Sequence, residues 1–163
     1  MYLFSTESFS LWKKKQLSKG GDNESLTLLI DTLGGLSSRE LNLSRIKSEK
    51  KIKLKINLRS LEYFWDKHLN TSIPIQYLTG ISYWRDLKLE VSNRVLIPRP
   101  ETELIVDIIL GIYKNKKEKI TFVDLGTGSG AISIALALEN PNWNGIATDI
   151  DKNAIKIASR NFA

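Results

Sequence analysis

One segment limits the fold of this chain more than any other: Phe122-Val123-Asp124-Leu125-Gly126-Thr127-Gly128-Ser129-Gly130. An apolar run over 120–124 leads into three alternating glycines, and an alanine- and leucine-rich helical pattern follows at 131–139, stopped by Asn140-Pro141. Glycines between a buried strand and a helix let the backbone turn sharply, and they leave room for a ligand where a Cβ would clash. A second strand pattern at 145–149 ends in Asp149, and a further helix begins at Lys152. Strand, helix, strand, helix at this spacing predicts an α/β unit with a parallel sheet. Ligands of such sheets bind beyond the carboxyl ends of the strands, where this loop and Asp149 would lie.

An acidic residue at the end of the second strand commonly accepts hydrogen bonds from ribose hydroxyls, so the loop and Asp149 describe a nucleoside-containing cofactor. Gly126, Gly128 and Ala131 formally satisfy the relaxed dinucleotide pattern, so the glycines alone do not decide which one. Asp124 does. It stands two residues before the first glycine, where an unpaired carboxylate would repel a pyrophosphate. S-adenosylmethionine (AdoMet) has no phosphate and carries an ammonium and a sulfonium, which a carboxylate complements. The rival reading of Asp124 is a cap for the loop or the helix.

Composition removes several other chemistries. Cysteine is absent and His68 is the only histidine, which excludes disulfides, thiolate metal sites and histidine clusters, and no metal is expected. The charge of +6 concentrates in Lys47 to Lys55, read as a solvated, lysine-rich connection; no aromatic interleaving points to direct nucleic-acid binding. No secretory signal opens the chain, and the most apolar stretch, Leu104 to Leu110, is too short for a bilayer and contains Asp107. A cytoplasmic protein without membrane contact is expected.

Upstream the periodicity is helical. Leu26, Leu29, Ile30 and Leu33 fall on one face, preceded by capping residues at 22–25 and ended by Gly34-Gly35. Leu11, Trp12 and Gln16 suggest an earlier helix, and Leu61, Phe64, Trp65 and Leu69 another over 57–69, with Phe64, Trp65 and His68 read as core or satisfied residues. Leu87, Leu89 and Val91 then alternate with Lys88 and Glu90, predicting a strand that turns at Ser92-Asn93 into 94–97. Pro98 and Pro100 stiffen its exit. A helix over 101–113 should turn Ile105, Ile108, Ile109 and Ile112 inward. The expected division is a helical domain at 1–73, a β-hairpin linker at 74–100 and part of a nucleotide-type α/β domain at 101–163.

Three motifs occur in order: Tyr77-Leu78-Thr79-Gly80, Val95-Leu96-Ile97-Pro98-Arg99-Pro100-Glu101-Thr102-Glu103, and Asp124 to Gly130. Together they resemble the peptide chain release factor N5-glutamine methyltransferases, the HemK/PrmC family. The resemblance covers the whole chain and is strongest from Ile73 onward. It implies a Rossmann-like AdoMet-dependent methyltransferase domain, incomplete here, behind a small helical domain that docks the release factor and a β-hairpin linker. It also implies that Gly126, Thr127, Gly128, Ser129 and Gly130 wrap the methionine end of AdoMet, that Asp149 binds the ribose, and that Asp124 lies near the ammonium. Arg99, Thr102 and Glu103 match the linker motif and would line the cleft. Their structural alternatives are an ion pair for Arg99, a helix cap for Thr102 and a favourable first-turn charge for Glu103.

The family's substrate motif, Asn-Pro-Pro-Tyr, does not occur in these 163 residues, so no catalytic residue is assigned. Only two strands of the expected sheet are encoded, and the first should leave an open, apolar edge. The chain alone is expected not to methylate a release factor. Two alternatives are a non-catalytic release-factor-binding module and a nicotinamide-dependent oxidoreductase fragment.

Overall fold

The computed structural model describes residues 1–46, 51–113 and 119–163, with residues 43–46 followed by their backbone only. The chain forms two compact units, Met1–Thr79 and Gly80–Ala163.

In the first unit, β1 (Tyr2–Phe4) pairs antiparallel with β2 (Ile52–Leu54), and five helices surround a common core: α1 (Thr6–Ser18), α2 (Asn23–Thr32), α3 (Ser38–Ile46), α4 (Leu58–Thr71) and α5 (Ile75–Thr79). Most helix starts carry the cap that the sequence chemistry dictates. Ser5, Asp22 and Asn57 each accept a backbone N–H of their helix's first turn, from Ser8, Ser25 and Ser60. Ser37 and Glu40 form a reciprocal capping box, Ser37 N–H to Glu40 Oε2 at 3.0 Å and Glu40 N–H to Ser37 Oγ at 3.3 Å. The core holds Leu26, Leu29, Ile30, Leu61 and Trp65, all without exposed surface. Trp65 donates its indole N–H to the Gln16 carbonyl at 3.0 Å, and Lys19 on the α1 side bridges to Glu62 and Asp66 of α4. His68 is satisfied by the Ile73 carbonyl at 2.7 Å.

Two features of this unit differ from the expectation. Ile52 and Leu54, in the segment read as a solvated lysine-rich connection, form a strand whose apolar residues are buried while Lys53 is exposed. Short alternation inside a lysine run hides a strand, because charge dominates the local pattern. Residues 47–50 of that run lie outside the described residues. The second difference is the boundary. Ile75 is buried in the first unit's core, so α5 belongs with the helices, and the break falls after Thr79 and not after Ile73.

The second unit opens with a hairpin, β3 (Ile81–Trp84) and β4 (Leu87–Glu90), paired from Ile81↔Glu90 to Trp84↔Leu87. Its turn is Arg85-Asp86, with Arg85 in the left-handed region at φ 51°. This corrects the predicted hairpin. Ser92 and Val95 close a turn (Val95 N–H to Ser92 C=O, 3.1 Å), but 94–97 forms no strand. The tighter turn wins because Trp84 and Leu89, one on each strand, are both buried in the same core. The hairpin also packs into one unit with the α/β elements and does not form a separate linker body.

A short 3₁₀ turn (Pro100–Thr102) leads into α6 (Glu103–Tyr113), then β5 (Thr121–Leu125), α7 (Ala131–Glu139), β6 (Asn144–Thr148) and α8 (Lys152–Phe162). β5 and β6 are parallel and in register from Thr121↔Asn144 to Leu125↔Thr148, the expected α/β unit. Val106, Ala135, Leu136 and Trp143 centre its core, with Tyr113 and Phe122 edge-on to Trp143.

α6 departs from the reading of its inward face. Val106 is the buried residue, Ile109 is half-buried, and Ile105, Ile108 and Ile112 are about half or more exposed. The helix is apolar on nearly every side, so periodicity does not choose a face and packing does. Val123 and Leu125 of β5 and Ile146 of β6 are exposed as well. Among the described residues β5 has one strand neighbour, β6. No described helix is long and apolar enough to cross a membrane.

Candidate functional site

The site is built where β5 and β6 end side by side. The β5–α7 loop takes its shape from three glycines in the left-handed region, Gly126 at φ 76°, Gly128 at φ 56° and Gly130 at φ 84°. They are glycines for different reasons. A Cβ on Gly126 or Gly128 would meet no protein atom within 4 Å, so only backbone conformation and the space above the loop require glycine there. A Cβ on Gly130 would press at 3.3 Å on Ala158, Ile134 and Phe162, so this glycine also lets α7 and α8 approach. We expect Gly126→Ala and Gly128→Ala each to cost about 1 kcal/mol of stability, the usual penalty for a side chain in that region. Gly130→Ala should cost more; urea unfolding of the three variants checks the order.

β6 holds the loop by its last residue. The Thr148 carbonyl accepts from the Gly126 and Thr127 N–H groups, at 2.9 and 2.8 Å. Asp149 then reaches back: Oδ2 accepts from the Gly128 N–H and Oδ1 from the Asp151 N–H, both at 2.9 Å. Those backbone donors, Asp151 first and then Gly128, hold the Asp149 carboxyl below the usual carboxylate range. Each carboxylate oxygen retains acceptor capacity for a further donor.

Asp124 is fixed from the other side. Its Oδ2 accepts from Thr127 Oγ1 and from Ser133 Oγ, both at 2.7 Å. The carboxylate therefore ties the loop to the first turn of α7, and Oδ1 takes no hydrogen bond from the described residues. Thr127 and Ser129 turn their side chains inward and are buried, so they present backbone to the loop's mouth. α7 starts at Gly130 without a side-chain cap, which leaves its N-terminal amides for solvent or a ligand. Thus Asp124, Gly126, Thr127, Gly128, Ser129, Gly130 and Asp149 come together in one place.

The linker-motif residues serve a different place. Glu103 Oε1 accepts from the Arg85 backbone N–H at 3.3 Å, and Arg85 also bonds the Glu103 carbonyl and Asp107. The Arg99 carbonyl accepts the Trp84 indole N–H at 2.8 Å and the Thr102 N–H at 3.0 Å. These bonds fasten the hairpin tip to the start of α6. The Arg99 side chain is exposed and makes no ion pair among the described residues.

A cleft of about 550 Å³ lies elsewhere on β5, lined by Ile105, Ile109, Phe122, Val123, Asp124 and Leu136 among others. Asp124 and Leu125 line it while the glycines and Asp149 do not, so it reaches the start of the loop without including its mouth. Sequence reasoning missed the residues that hold the loop in shape: Thr148, Ser133, Asp151 and, on α8, Asn161. The Asp151–Asn153 cap before a helical run was the one local signal available for this group.

The fold and the loop fit a methyltransferase domain, and a family model supports that class: residues 100–163 match ribosomal protein L11 methyltransferase (PrmA). Over nearly all of its length the chain is homologous to release factor glutamine methyltransferases. It is 40% identical to the protein of that name from Prochlorococcus marinus over 98% of this chain and 55% of the relative. It is 35% identical to the Bacillus subtilis protein over 92% of this chain and 52% of the relative. The Lactococcus lactis protein reaches 50% identity over 58% of this chain and 34% of its own length. The chain spans about half the length of the relatives that it matches from end to end.

Proposed function

We propose that this chain binds AdoMet at the β5–α7 loop and serves methylation of the glutamine side-chain amide in the Gly-Gly-Gln motif of peptide chain release factors. The observation that carries the cofactor assignment is the pairing of two differently anchored carboxylates around an open glycine loop. Asp149, gripped by backbone N–H groups at the end of β6, keeps acceptor capacity for the ribose hydroxyls. Asp124, oriented by Thr127 and Ser133, offers Oδ1 to the cofactor's ammonium. The uncapped start of α7 suits its carboxylate, since a helix N-terminus favours an anion. The space above Gly126 and Gly128 admits a ligand close to backbone. A dinucleotide would place its pyrophosphate near Asp124, where like charges repel.

The bound cofactor supplies an electrophilic methyl group on a sulfonium. This chain's contribution is to hold that cofactor in one orientation, and positioning of this kind can contribute roughly 7–11 kcal/mol to such a transfer. An amide nitrogen is a poor nucleophile because its lone pair is delocalised into the carbonyl, so its acceptor must be oriented as strictly as the cofactor. Residues 1–163 contain no Asn-Pro-Pro-Tyr sequence for that purpose. We therefore expect these residues to bind AdoMet but not, alone, to methylate a release factor. Residues 1–79 are assigned to docking the release factor, and residues 80–163, the hairpin included, to holding the cofactor. Arg99, Thr102 and Glu103 act by fixing the hairpin beside the cofactor domain.

Calorimetric titration with AdoMet and with NAD tests the cofactor assignment. One AdoMet per chain and no heat from NAD is expected; tighter binding of NAD would overturn it. Radiolabelled methyl transfer to a purified release factor tests the second statement, and incorporation by the 163-residue chain would overturn that one.

A further inference from the structure

We propose that Asn161 is a positioning residue for the cofactor loop, locking the backbone at Ser129 to the hairpin; the binding part of this proposal rests on the AdoMet reading above. Asn161 lies near the end of α8, far in sequence from both of its partners. Its Oδ1 accepts the Glu90 N–H at 2.7 Å, and its Nδ2 donates to the Glu90 carbonyl at 3.0 Å and to the Ser129 carbonyl at 2.8 Å.

The amide thus takes both backbone groups of Glu90, as a neighbouring strand would, and uses its remaining donor on the loop. The orientation is unambiguous, because a flipped amide would set its oxygen against two carbonyls and its NH₂ against an N–H. No other side-chain type of this size offers one acceptor and two donors in a single plane. The same part of α8 backs the loop, with Ala158 and Phe162 3.3 Å from where a Cβ on Gly130 would stand. The front of the loop is held by Thr148 and Asp149, and the rear is held by Asn161. Gly126, Gly128 and Gly130 make the loop intrinsically loose, so its shape depends on these ties.

Asn161→Asp is the informative variant, since it keeps the shape and the acceptor for Glu90 but places an oxygen against the Ser129 and Glu90 carbonyls. Asn161→Ala removes all three bonds. Arg160→Ala is the control: it breaks the neighbouring α8–hairpin contact, Arg160 Nε to Glu90 Oε2 at 2.6 Å, without touching the loop. Two readouts are compared across the full 163-residue chain. Amide hydrogen exchange without ligand should quicken about tenfold or more at Gly126 to Gly130 in Asn161→Asp and not in Arg160→Ala. AdoMet affinity should fall about tenfold in Asn161→Asp and stay within threefold in Arg160→Ala. Unchanged loop exchange in Asn161→Asp, or quickening equal to that in Arg160→Ala, overturns the positioning role. If the unmutated chain binds no AdoMet, the cofactor reading falls, while the exchange comparison still decides the role of Asn161. If Asn161→Ala does not fold, the isosteric Asn161→Asp carries the test.

Discussion

Asp149→Ala is expected to weaken AdoMet binding by a hundredfold or more while the chain remains folded. The carboxylate accepts the Gly128 and Asp151 N–H groups and, on the functional reading, the ribose hydroxyls. Hydrogen bonds to a charged partner contribute about 1.5–3 kcal/mol each, and losing two of them corresponds to at least two orders of magnitude in affinity. Asp149→Asn should recover little, because its NH₂ group must face one of the two N–H donors. Calorimetry on the three proteins measures this; affinity within threefold of the unmutated chain would remove Asp149 from the site. A pH dependence accompanies it. Because the Asp149 carboxyl is held below its ordinary value, its contribution to stability is fully present above the unfolded-state carboxyl pKa. It is lost as pH falls through the lower folded-state value. Stability measured from pH 5 down to pH 2 should therefore fall less steeply in Asp149→Ala than in the unmutated chain.

Trp65→Ala should produce the largest loss of stability, about 3–5 kcal/mol, the usual range for deleting a fully buried aromatic side chain. Trp65 has no exposed surface, packs beside His68, and donates to the Gln16 carbonyl, which keeps only the Lys19 N–H when the indole is removed. Gly21, at φ 78°, lies so close to the indole that a Cβ there would come within 2.6 Å of the ring, which shows how little room surrounds it. Tyr63, two residues away and 62% exposed, is the control; Tyr63→Ala should change stability by no more than about 0.5 kcal/mol. Urea unfolding followed by far-UV circular dichroism compares the two. A loss below about 1 kcal/mol in Trp65→Ala would mean that the helical unit does not depend on this core.

How much of this was legible in the sequence depended on how local the cause was. The helix of Leu26, Leu29 and Ile30 was plain because its cap, its apolar face and its terminating glycines are adjacent in the chain. The capping box at Ser37 and Glu40, which opens α3, is just as local a signal. β2 was hidden: two apolar residues inside a lysine run look solvated until β1, some fifty positions earlier, pairs with them. Ser92-Asn93 is a turn by composition, whereas the hairpin closes earlier, at Arg85-Asp86. Arg85 adopts its left-handed conformation only because Trp84 and Leu89 share a buried core and Glu103 receives the Arg85 N–H.

The sequence by itself determined the α/β character, the glycine loop and the two carboxylates, since strand alternation, glycine spacing and strand-end acids are properties of neighbouring residues. Tertiary structure alone decided what those carboxylates hold. It turned Asp124 toward Thr127 and Ser133, set Asp149 under Gly128, and brought Asn161 and Glu90 from opposite ends of the unit to the back of the loop. It also decided which side of α6 is buried, because a helix apolar all round has no preferred face until something packs on it. Hydrogen bonds between residues dozens of positions apart leave no periodic trace in a chain, and only folding reveals them.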